Sequence, residues 1–172
     1  MARQYFGTDG IRGRVNTPPM TAESALRLAI AAARTFAPNG GREVVIGRDT
    51  RRSGQMIEAA LIAGLTSMGL KPVLLGIVPT PTVALMTRET GAALGLMVSA
   101  SHNKSDDNGI KLFSPAGIKL TDAEEEALEA AMASAFEGDF APPPAISTPH
   151  HMKGATTLYL ERCLETVGTD ID

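Results

Sequence analysis

Ser101 lies in a run of eleven residues, Ser99 to Gly109, almost all of them small or polar, between the apolar runs Leu94–Val98 and Ile110–Phe113. The pattern predicts a strand, an exposed loop and a second strand. A loop anchored at both ends holds a reactive group in water on a rigid frame. A serine hydroxyl is a poor nucleophile until its proton is taken up or replaced. His102 is the next residue, but neighbouring side chains of extended backbone point to opposite faces, which places it poorly as a base for Ser101. There is no Gly-x-Ser-x-Gly elbow either. His102, Asn103, Lys104 and Lys111 surround the hydroxyl with donors and cations, which suits a phosphoryl group carrying a charge of about −1.5 to −2. A second reading stays open: a hairpin-like loop in which Ser99, Ser101 and Asn103 cap backbone groups.

The elements that must position this loop follow from periodicity. Gln4–Phe6 reads as a short strand, and Gly7, Gly10 and Gly13 punctuate a loop around Asp9 and Arg12. Such glycines serve tight turns or close approach to a ligand. Arg14–Asn16 reads as another short strand, broken at Thr17-Pro18-Pro19. A helix is predicted over Thr21–Phe36, with Thr21 as N-cap. Val44–Ile46 is the core of a buried strand, Glu43–Gly47, and the next loop carries Arg48, Asp49, Arg51 and Arg52. These arginines either bind anions at the strand end or are taken up by Asp49, which then stiffens the loop. Ser53 is predicted to cap a helix running to Met68, followed by a strand over Lys71–Val78 and a short helix over Val83–Arg88.

Thr121 and Glu124 form a capping box for a helix reaching about Phe136, with Glu124–Glu126 and Glu129 on a solvated face. The Pro-rich stretch 138–153 reads as an extended linker, with His150-His151 solvated rather than a metal pair. A last helix covers 154–167 and ends at Gly168-Thr169-Asp170; Cys163 within it reads as a buried, inert thiol. The division is then an α/β domain over 1–137, a linker over 138–153 and a terminal helix over 154–172.

Strands alternating with helices argue for an α/β fold: a mixed, mostly parallel sheet with helices on both faces. Strands 94–98 and 110–113 are joined too closely for a helical crossover and should pair antiparallel or lie at an edge. A content of 44% hydrophobic and 20% charged residues is that of a globular chain. With a net charge of −3 and no basic block, neither nucleic acid nor an anionic membrane is an expected partner. No dinucleotide or P-loop glycine string occurs. One cysteine and no signal-peptide pattern point to a reducing cytoplasm.

Ala100-Ser101-His102-Asn103, followed by Asp107-Asn108-Gly109-Ile110-Lys111, resembles the phosphoserine loop of the α-D-phosphohexomutases. Tyr5-Phe6-Gly7-Thr8-Asp9-Gly10-Ile11-Arg12-Gly13 resembles the opening of one branch, phosphoglucosamine mutase, and Gly47-Arg48-Asp49-Thr50-Arg51 with Ser53-Gly54 is a third matching block in the same order. The resemblance implies the first domain of a four-domain architecture. It makes Ser101 the carrier that gives a phosphoryl group to a hexosamine phosphate and takes one back through a bisphosphate. It places His102, Lys111 and Arg12 around that phosphate, with Lys111 as proton shuttle or simple charge. It implies Mg²⁺ bound partly through the phosphate on Ser101, the other ligands lying in a second domain; no Asp-Gly-Asp string occurs here. The chain alone is therefore expected to be inactive. Other branches, phosphomannomutase or phosphoglucomutase, remain alternatives, as does a stand-alone phosphate-responsive binding module. A long linker and a terminal helix with an open apolar side would invite homodimerisation. One departure stands out: the family usually has Pro after Asn103, and here Lys104 and Ser105 follow, which frees the backbone of the loop.

Overall fold

The apolar runs come together as one seven-stranded sheet in a computed structural model that describes residues 5–7 and 9–167. Gln4 of the first predicted strand and the predicted stop at Gly168–Asp170 lie outside the described residues. In chain order the elements are β1 (Phe6–Gly7), β2 (Gly10–Arg14), α1 (Ala22–Phe36), β3 (Glu43–Arg48), α2 (Gly54–Ser67), β4 (Lys71–Ile77), α3 (Thr80–Thr90), β5 (Leu94–Val98), β6 (Asp107–Phe113), α4 (Asp122–Ala133), β7 (His150–His151) and α5 (Ala155–Val167), with a single 3₁₀ turn at Pro143–Ala145. The order across the sheet is β1-β2-β6-β5-β3-β4-β7. The sheet is mixed, with helices on both faces. It divides more evenly than the sequence suggests: β5-β3-β4-β7 run parallel, while β1-β2-β6-β5 are antiparallel. β5 and β6 pair antiparallel, as the short connection between them allows.

Period-2 alternation fills both faces. Val44 and Ile46 of β3 and Leu94, Leu96 and Val98 of β5 face a core closed by α1, α2 and α4. Val45 and Met97 point the other way, into a smaller core with Val83 and Met86 of α3 and Ala155 of α5. Each large aliphatic side chain so buried stabilises the fold by about 1.5–3 kcal/mol. α1 and α2 pack closely because Gly64 has no Cβ, which would stand 2.6 Å from that of Ala29. Thr21 Oγ1 accepts from the Ser24 N–H at 3.1 Å, and the Thr121–Glu124 capping box is formed, so two of the three predicted caps are present.

Several local readings are corrected. Residues Gly10–Arg14 are a strand rather than a loop, so Gly7 and Gly10 form a hairpin. Gly10 takes a left-handed φ of 76°. α3 starts at Thr80, because a proline in the first turn loses no hydrogen bond there. Ser53 stands at the N-cap position of α2 without a capping bond; its Oγ accepts from Asn108 Nδ2 at 2.9 Å and ties α2 to β6. The acidic face of α4 is not wholly solvated. Glu129 accepts from the backbone N–H groups of Tyr5 and Phe6 at 3.0 and 3.1 Å, at the outer edge of the sheet, and Glu125 is buried.

The Pro-rich stretch packs, contrary to expectation. The Ala141 N–H donates to the Ser67 carbonyl at 3.0 Å, Ser147 donates to the Leu70 carbonyl, and His150–His151 adds a parallel strand beside β4. The two histidines are exposed on that edge strand rather than in a loop. Cys163 is half-buried on α5 rather than enclosed.

Candidate functional site

β5 ends at Val98; Ser99 and Ala100 beyond it are still buried, and the backbone then turns outward at Ser101. Ser101 has φ of 56°, in the left-handed region that a residue with a Cβ seldom adopts. The Ser99 hydroxyl accepts from the Ser101 N–H at 3.0 Å, so Ser99 does cap the turn, as the second reading of the loop allows. Among the described residues the Ser101 hydroxyl caps nothing. Its side-chain contact is His102 Nδ1 at 3.5 Å, too long for a strong hydrogen bond. The left-handed turn is what brings these two adjacent side chains together; extended backbone would part them. The loop is shorter than its composition suggests, because β6 already begins at Asp107.

The cations assemble around β2 and β6, which pair with Arg12 opposite Gly109. Asp9 accepts from both Arg12 Nη2 and Lys111 Nζ, the latter at 2.9 Å. Arg12 Nε is buried without a partner, and Arg12, Asp9 and His102 line a common cleft of about 680 Å³. Ser101 itself lines a neighbouring cleft of about 850 Å³ with Thr50, Arg52, Thr80 and Ser105. Ser101, His102, Arg12 and Lys111 are thus gathered at one end of the sheet, the last two through Asp9.

Burial alone would raise the pKa of Asp9; the hydrogen bond and charge of Lys111, with Arg12, outweigh it and hold the carboxyl below its ordinary 3.8. A depressed folded-state pKa means stability that is complete above 3.8 and is lost as pH falls through the lower folded value. The melting temperature of the wild-type chain should therefore fall more steeply than that of Asp9→Asn between about pH 5 and about pH 3, and the two should converge in acid. Parallel curves from thermal melts across that range would contradict the Asp9 knot.

The three arginines after β3 have different fates. Arg48 Nε bonds Glu58 of α2 at 3.1 Å, so it is structural. Arg52 is exposed on the cleft. Arg51 turns under the serine loop: Nε donates to Asp49 at 3.1 Å, Nη1 to the carbonyls of Lys104 and Asp107, and Nη2 to those of Ser101 at 3.0 Å and Asn103 at 2.8 Å. Asp49 does pair with an arginine and stiffen the loop, and that arginine is Arg51. The carbonyl of Lys104 is held although the proline is missing, so the freedom expected from that replacement is removed by Arg51.

The chain matches the family described as phosphoglucomutase/phosphomannomutase, alpha/beta/alpha domain I, over residues 3–139. The chain belongs to this family. It is 74% identical over 167 residues to a phosphoglucosamine mutase of Hyphomonas neptunium, covering 97% of this chain and 37% of that protein. It is 51% identical over 173 residues to a phosphoglucosamine mutase of Jannaschia sp., covering 99% of this chain and 38% of the relative. The chain therefore spans little more than a third of the length of the curated relatives it matches. The crystal structure of a phosphoglucomutase/phosphomannomutase family protein from Burkholderia thailandensis superposes with a TM-score of 0.76 at 25% identity, over 94% of this chain and 35% of that one.

Within this family member, sequence reasoning named Ser101, His102, Arg12 and Lys111 but gave no role to Asp9 or Glu129 and left Arg51 undecided. Asp9 had a signal, its place between two glycines and three residues before Arg12. Glu129 had none, since its partners lie 124 and 123 residues away.

Proposed function

We propose that this chain is the phosphoryl-carrying domain of a phosphoglucosamine mutase, an isomerase interconverting glucosamine 6-phosphate and glucosamine 1-phosphate. The observation that carries the reading is the hydroxyl of Ser101, exposed at the C-terminal end of β5 on a left-handed turn and free of structural duty. Open α/β sheets place their ligands at that end. The name shared by the relatives supports the sugar; nothing in the cleft of this domain selects it.

In the first half-reaction the sugar hydroxyl attacks the phosphorus of phosphoserine 101. The new O–P bond forms as the Ser101 Oγ–P bond breaks, and the proton of the sugar hydroxyl ends on Ser101 Oγ. After the bisphosphate turns over, the Ser101 hydroxyl takes the other phosphoryl group by the reverse exchange. Such transfer needs position and charge neutralisation more than covalent assistance. Lys111, held beside the Asp9 carboxylate, acts as fixed charge, and the partly exposed guanidinium of Arg12 adds a second cation at the cleft. His102, 3.5 Å from Ser101 Oγ, is near enough to carry the proton after a small shift.

Mg²⁺ belongs to the same proposal, with the phosphate on Ser101 as one ligand. Among the described residues no group of three or more His, Cys, Asp or Glu side chains could hold the ion. These residues do not fit a bound cation by themselves, and what the chain supplies is a hydroxyl and fixed cations. No described helix is long and apolar enough to cross a membrane. A cytoplasmic location goes with sugar-phosphate substrates and a lone cysteine. Leu160, Leu164 and Val167 are exposed along α5, which fits packing against a further domain or a second copy of the chain.

A chimera tests the reading: these 172 residues replace the matching segment of the Hyphomonas neptunium relative. The chimera should interconvert the two glucosamine phosphates, while the chain alone should show no turnover. A folded but inert chimera, or an active isolated chain, would refute the proposal.

A further inference from the structure

Arg51 lines the cleft beside Ser101, yet it has nothing left to give a ligand there. A guanidinium has five N–H donors. In this chain all five are spent, one on Asp49 and four on loop carbonyls. The side chain is only 11% exposed. Asp49 is itself fixed, its N–H donating to the Val98 carbonyl at 3.0 Å and its carboxylate accepting from the Arg51 N–H at 3.0 Å. A continuous path of hydrogen bonds therefore runs from the ends of β3 and β5 through Arg51 into residues 101–107.

We infer that Arg51 is a positioning residue: by holding the carbonyls of Ser101, Asn103, Lys104 and Asp107 it keeps Ser101 in its left-handed conformation and so sets the direction in which the hydroxyl meets phosphorus. This role in the reaction rests on the reading of Ser101 as phosphoryl carrier. The physical need is plain. A serine with φ of 56° persists only where its surroundings over-determine it. Here the side chain of Ser101 is in solvent and its hydroxyl pins nothing, so the restraint comes from the backbone. The Ser99 cap restrains the N–H of Ser101, and Arg51 restrains its carbonyl. Arg51 does so with a planar fork, which a lysine cannot reproduce: an ammonium has three donors at one point.

The test uses Arg51→Lys in two settings. In the isolated chain, NMR reads the three-bond coupling between the carbonyl carbon of residue 100 and Hα of Ser101, which is large only at positive φ, together with amide exchange. The substitution should collapse that coupling and speed exchange at residues 101–104 by roughly tenfold or more, with the strands unchanged. In the chimera it should lower kcat by about 10²-fold, the cost of a small misplacement of a reacting group, and leave KM within about twofold.

An unchanged coupling in a folded Arg51→Lys chain overturns the inference whatever the protein catalyses. A collapsed coupling with undiminished kcat overturns the link to the reaction. An inert wild-type chimera with a collapsed coupling would instead count against the proposed function and leave the restraint standing. Should Arg51→Lys fail to fold, Asp49→Asn keeps the guanidinium and loosens its anchor; a smaller loss of the same coupling supports the inference, and no loss overturns it.

Discussion

Ser101→Ala in the chimera should abolish mutase turnover and leave the fold as stable as before. The expected fall is roughly 10⁶-fold, to background, because on the proposed function the variant lacks the group that would bond to phosphorus. The hydroxyl meets His102 Nδ1 at 3.5 Å, a contact with little bonding to lose. The substitution lies at an exposed position, so stability should stay within about 0.5 kcal/mol. Intact mass separates the outcomes: the wild type, charged with a hexosamine bisphosphate, gains one phosphoryl group that phosphatase removes, and the variant gains none. Turnover at the wild-type rate in Ser101→Ala would end the carrier reading. A large loss of stability would mean that the hydroxyl has a structural role.

Gly109→Ala strikes the frame instead of the reactive group. A Cβ built there stands 2.8 Å from the carbonyl oxygens of both Ile11 and Ser99, and 3.0 Å from Cγ of Arg12. The first two are backbone atoms on β2 and at the start of the serine loop, so neither can swing aside as a flexible side chain would. Gly109 pairs with Arg12 across the β2–β6 ladder, and its carbonyl accepts from the Ser99 N–H at 2.9 Å. Relief of the clash must therefore part β6 from β2 or from the end of β5. We expect a loss of about 3 kcal/mol, the upper end of overpacking costs. For a chain of this size that lowers the melting temperature by roughly 6–12 °C. Activity should fall as well, because the same displacement moves Arg12 and the Ser99 cap. A thermal melt within about 1 °C of wild type would show that the strands separate more easily than this packing allows.

Much of the architecture could be read before any coordinates, because it depends on local pattern. The apolar triplet Val44–Ile46, the helical spacing through Ala22–Phe36 and the Thr121–Glu124 box each carry their own instruction. The antiparallel β5–β6 pair is one of the two arrangements that the loop length allowed. Where local pattern misled, the deciding partner was distant. The prolines of 138–153 suggested a free linker, but the edge of β4 offers unpaired backbone groups, and His150–His151 satisfies them. The Glu129 carboxylate looked solvated until α4 brought it to the N–H groups at the start of β1.

The chemistry divides the same way. Ser101, His102 and Lys111 lie within one string; their types suit a phosphoryl group but equally allow a capping loop, and it is the likeness to a family motif that singles out Ser101 as the proposed carrier. Composition could not choose among Arg48, Arg51 and Arg52, three guanidiniums within five residues. The path of the chain leaving β3 chose: one arginine faces α2, one faces solvent, and one passes under a loop 50 to 56 residues further on. The left-handed turn of Ser101 was equally out of reach, since no residue beside it demands a positive φ. Residue type decides which groups a chain can offer, whereas hydrogen bonds between segments far apart in sequence decide where each group points, and those bonds exist only once the sheet has formed.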